Sequence, residues 1–191
     1  MSNFKIIGKG RFIVRDRIIN KIGFDSGVLV AIIDNTKEWN LRQALFLINN
    51  GLCFAYQLVV NQVIGVLHRK RGYLLEEARS KTLTFLQKNN ITILKEEKLN
   101  SNLRDAIFQD LCKLRNKIKT DTPIEDHDLD ILASYKSQDI DCFVTTNFRH
   151  FIELGKSINI FIEPIRKETD EESIRVDKML RDIFWKKRRI K

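Results

Sequence analysis

Between residues 20 and 165, short apolar runs alternate five times with stretches whose apolar residues recur at helical spacing. That alternation restricts the fold more than any other feature. It predicts an α/β domain with a parallel doubly wound sheet of about five strands and helices on both faces. The first core strand ends over Ile22–Phe24, and a helix runs from Ser26. A stripe of Leu41, Ala44, Leu45 and Ile48 marks a helix over 37–49, stopped at Gly51. YQLVV (56–60) reads as a buried strand, and Asn61 as the cap of a helix running to about Arg71. Further helices are expected over 75–88, 101–118, 126–138 and 148–154, and further strands over 91–95, 141–146 and 158–164.

Two segments flank this core. Residues 4–16 hold two apolar runs around Gly8-Lys9-Gly10, the pattern of a hairpin, so residues 1–19 are expected to be an N-terminal extension. In the tail, Val176, Met179, Leu180, Ile183 and Phe184 recur at helical spacing before a basic end, WKKRRIK. An amphipathic, basic C-terminal helix is expected over 166–191.

Composition narrows the function. Only two prolines and eight glycines interrupt 191 residues, which excludes a fibrous or disordered chain. A net charge of +9 favours a polyanionic partner. Three scattered cysteines without a CxxC pair argue against a zinc site and for a reducing compartment, so a cytoplasmic protein is expected. No run of roughly 18 apolar residues offers a membrane span.

In an open α/β sheet, ligands bind beyond the carboxyl ends of the strands. Asp25 ends the first core strand, Asn147 follows FVTT, and Asp128 opens the helix after Pro123. Gln62 falls in the first turn of the helix expected after LVV. Each alone is explained by capping or a turn. Together they converge on one rim. There is no GxGxxG, Walker loop or GxSxG to support a different doubly wound enzyme.

These residues resemble the motifs of PIN domains. GFDSGVLVAII looks like the family's opening strand with its terminal Asp and following hydroxyl residue. HDLDILAS is similar to its D-x-x-(I/L)-x-A helix, matching Asp128. FVTTNFRHF resembles the closing T-x-(D/N)-x-x-(D/H)-F segment, matching Asn147, His150 and Phe151. VVNQVIGVL resembles the stretch where the family usually carries Glu, and there this chain has Gln62. The resemblance spans about residues 20–165.

It implies a metal-dependent endoribonuclease that uses Mg or Mn to hydrolyse RNA phosphodiester bonds. Asp25 and Asp128 would hold the metal, and Asn147 would bind it weakly or through water. Ser26 and Thr145 would position water or phosphate, with Arg149 and His150 close to the RNA. A toxin-like role would bring an antitoxin partner, and a homodimer is a further expectation. The departure at Gln62 matters, because from Trp39 through Leu75 there is no Asp or Glu to replace it. Asp130 lies about 200° around the helix from Asp128. The alternative is a catalytically weakened module that binds RNA or protein.

Overall fold

A computed structural model describes residues 5–8, 10–14, 17–36, 41–118 and 123–165. The helix expected over 166–191 lies outside the described residues. Eight strands and seven α-helices are described: β1 (Lys5–Gly8), β2 (Arg11–Val14), β3 (Arg17–Ile19), β4 (Lys21–Phe24), α1 (Ser26–Ile33), α2 (Arg42–Asn50), β5 (Leu52–Tyr56), α3 (Gln57–Arg71), α4 (Leu75–Lys88), β6 (Thr92–Leu94), α5 (Ser101–Arg115), α6 (Asp126–Ser137), β7 (Cys142–Thr145), α7 (Phe148–Ser157) and β8 (Phe161–Pro164).

The main sheet is parallel throughout, in the order β6-β5-β4-β7-β8. The chain starts at the centre with β4, builds outward through β5 to β6, then crosses back to β7 and β8. This is the doubly wound arrangement expected from the alternation. Its central strands are buried on both faces, as the continuous apolar runs IGF and CFVT require. Helices α1, α3 and α4 pack with one another, and α5 packs on α6 and α7. The winding reverses at β4, so the crevice beyond the carboxyl ends of β4 and β7 is where a ligand belongs.

One strand differs from expectation. The segment YQLVV is not a strand: β5 is LCFAY, and α3 begins at Gln57. The β-branched pair Val59-Val60 reads locally as extended. Together with Val63 and Leu67, however, it forms a buried helical face. Gly72 closes α3 in the left-handed conformation, φ 77°. This shift moves Gln62 from the first turn of the helix to the second.

The expected hairpin is present as β1 and β2, and β3 extends it to a three-stranded antiparallel sheet. Phe12, Val14 and Ile19 are buried in the same hydrophobic core as the main sheet. Phe12 stands 6.0 Å from the ring of Phe46 on α2. Asp141 Oδ2 accepts from the amides of Asn20 (2.9 Å) and Lys21 (3.0 Å), which holds the start of β4 against that of β7. Among the described residues, no helix is long and apolar enough to cross a membrane.

Candidate active site

Asp25 sits where β4 hands over to α1. Its amide donates to Val144 O at 2.9 Å, continuing the β7 side of the ladder. Its extended backbone makes it the N-cap of α1. Oδ1 accepts from the Ser26 amide at 2.7 Å, with the Ser26 hydroxyl further off at 3.4 Å. Oδ2 accepts from Thr145 Oγ1 at 2.7 Å. Burial pushes this carboxyl above its usual range. The bonds from Thr145 and Ser26 pull it down, and the charge of Asp128 pushes it up again.

Thr145, the last residue of β7, is fully buried. Its hydroxyl is directed at Asp25 and accepts from the Asn147 amide at 2.9 Å. It therefore aligns the Asp25 carboxylate. Asn147 is the N-cap of α7, and its Nδ2 lies 2.7 Å from His150 Nδ1. His150 Nδ1 lies 3.9 Å from Asp128 Oδ2.

Asp128 occupies the first turn of α6, where a carboxylate favours the helix dipole. Its Oδ2 accepts from the Glu125 amide at 3.4 Å, and Oδ1 lies 3.4 Å from His127 Nε2. Burial raises this carboxyl too, against the lowering influence of His127, the Glu125 amide and His150. A chain of contacts thus runs from Asp25 through Thr145, Asn147 and His150 to Asp128.

Other expected residues stand apart. Gln62 is half-buried on α3, which packs on α1. Among the described residues no hydrogen bond joins it to that chain. The side chain of Arg149, in the first turn of α7, lies outside the described residues. Asp130 faces α5, where Arg104 Nε donates to it at 2.9 Å. The basic run 68–71 ends α3, where Arg71 pairs with Asp34 at 3.0 Å and His68 Nδ1 contacts Tyr73 O at 2.9 Å. One residue escaped sequence reading. Tyr135 of α6 donates to Phe24 O at 2.7 Å, and its ring covers Gly23. A glycine inside a strand run was the available signal for such a close approach.

The donors in the crevice are carboxylate, amide and hydroxyl oxygens, with one imidazole. Two of them are carboxylates, and the charge of Asp128 raises the cost of ionising Asp25. That set fits a hard divalent cation, which supplies the missing positive charge. Among the described residues no group of three or more His, Cys, Asp or Glu side chains is placed to hold a metal. The fit is therefore to two carboxylates supplemented by neutral oxygens.

No protein-family model matches the sequence, and no curated protein matches it. Solved structures do match. A chain of VapBC2 from Rickettsia felis, solved bound to a DNA fragment from their promoter, aligns at TM-score 0.56 and 18% identity, over 76% of this chain and 98% of that one. DNA-bound VapBC from Salmonella typhimurium aligns at TM-score 0.53 and 18% identity, over the same shares, 76% and 98%. The chain shares the fold of these two proteins.

Proposed function

We propose that this chain is a PIN-type endoribonuclease that hydrolyses RNA phosphodiester bonds with Mg or Mn. The observation that carries the reading is the pair Asp25 and Asp128. A continuous chain of contacts joins them at the carboxyl ends of the central strands, through Thr145, Asn147 and His150. Bound there, the ion would activate a water and offset charge building on the phosphodiester. Asp25 and Asp128 hold it. Thr145 and the Ser26 amide fix the Asp25 carboxylate. Asn147 would offer a neutral amide oxygen, and Gln62 stands at the position where the resembled family usually carries an acid. His150 orients Asn147. Arg149 adds a cation for the backbone, and the net charge of +9 draws RNA in.

The domain over 20–165 carries this chemistry, with 1–19 and 166–191 as extensions. The two structural neighbours are VapBC assemblies on DNA. An antitoxin-like partner covering the crevice, a homodimer and a cytoplasmic setting belong to the same proposal.

A second reading, a domain that binds RNA or a protein partner without cutting, is favoured by one observation. The position where an acid would complete the site is Gln62. Cleavage of structured and unstructured RNA in Mn²⁺, Mg²⁺ or EDTA separates the two, using wild type, Asp25→Asn and Gln62→Glu. The nuclease reading expects metal-dependent cleavage that Asp25→Asn abolishes. No cleavage by wild type, with activity gained in Gln62→Glu, would select the second reading.

A further inference from the structure

The β4–β5 ladder stops one residue short of the β4–β7 ladder. On the β5 side the last pair is Gly23 with Phe54, while on the β7 side pairing continues to Phe24 with Val144. A continuing parallel ladder would have the Tyr56 amide donate straight to Phe24 O. Instead the Tyr135 hydroxyl stands between them. The Tyr56 amide donates to it at 3.1 Å, and it donates on to Phe24 O at 2.7 Å.

The ring that delivers this hydroxyl is fixed on every side. Tyr135 is fully buried. A Cβ on Gly23 would lie 2.9 Å from its ring atoms, so only glycine admits it. Phe143, the β7 partner of Gly23, packs against it with ring centroids 5.5 Å apart. Tyr135 follows Asp128 by seven residues on α6, two turns on and on the same face.

We propose that Tyr135 is a positioning residue whose hydroxyl wedges the end of β4 away from β5 and so sets where Asp25 presents its carboxylate to the cation. This inference rests on the reading of Asp25 as a cation ligand. Phe24 O belongs to the peptide unit that leads into Asp25, and Tyr56 is the N-cap of α3, which carries Gln62. The wedge therefore holds both walls of the crevice. One helix supplies a carboxylate at its first turn and the pin that spaces the opposite carboxylate.

The test is Mn²⁺ titration calorimetry on the full chain, run well below the melting temperatures of wild type and Tyr135→Phe. The variant keeps the ring over Gly23 and removes only the hydroxyl. Loss of such a supporting group is expected to weaken Mn²⁺ binding by about tenfold or more. RNA affinity in EDTA, read by fluorescence anisotropy, is expected to stay at the wild-type value. Gly23→Ala approaches the wedge from the other side, keeping the hydroxyl but displacing the ring, and is expected to weaken Mn²⁺ in the same direction. A folded Tyr135→Phe or Gly23→Ala with wild-type Mn²⁺ affinity overturns the positioning role and leaves the nuclease reading standing. Wild type that takes up no Mn²⁺ overturns both, so the two failures are told apart by wild type alone.

Discussion

Asp25 and Asp128 carry opposing demands. As proposed cation ligands each would act as an anion, yet each sits where burial disfavours the anion. A carboxyl raised above its unfolded value binds protons more readily in the folded state. Its ionisation then costs stability as pH rises through the folded value, and the cost vanishes at low pH. Asp128→Asn is therefore expected to raise the melting temperature of the metal-free protein at neutral pH. That gain should shrink toward zero as pH approaches the normal carboxylate range. Thermal unfolding across pH in EDTA checks this, and a lowered melting temperature at neutral pH would contradict it. Thr145 works the other way. Thr145→Val keeps the shape but leaves Asp25 Oδ2 and the Asn147 amide without their partner. A cost of about 1–3 kcal/mol is expected in urea unfolding. Sequence alone singled out Asp25, Asp128 and Asn147 because each lies next to a strand end or helix start. The Thr145 bond was not legible, since it joins residues 120 apart.

At the scale of elements, the wound sheet was readable because parallel strands are apolar on both faces while the helices show one stripe. Where that contrast fails, the reading failed too. Val59 and Val60 have strand-like side chains, yet their tertiary partners are those of a helix, and α3 starts four residues before the expected cap at Asn61. Strand β3 has three residues, too few to show a period. The strands of the N-terminal extension also contribute to the core. Phe12, Val14 and Ile19 are all but fully buried. Phe12→Ala is expected to cost about 3–5 kcal/mol in denaturant unfolding. A loss under 1 kcal/mol would mean this sheet is a detachable extension. Gly23→Ala, which sets a methyl against the Tyr135 ring, is expected to cost about 1–3 kcal/mol.

For the molecule as a whole, a fold shared with the VapBC structures is joined to a candidate site with two carboxylates, Asp25 and Asp128. The two proteins are matched at 18% identity, so likeness of fold does not carry the chemistry across. What carries it is whether the crevice takes up a divalent ion with two carboxylates and neutral oxygens. In the proposed reading, introducing a carboxylate with Gln62→Glu adds negative charge near the cation. It is expected to tighten Mn²⁺ binding and to raise the melting temperature further when Mn²⁺ is present. The most direct test is a calorimetric titration of Mn²⁺ into wild type, Asp25→Asn and Gln62→Glu at neutral pH. The account predicts one ion per chain for wild type, none for Asp25→Asn and tighter binding for Gln62→Glu. Equal Mn²⁺ uptake by wild type and Asp25→Asn would contradict it, placing the cation elsewhere or nowhere.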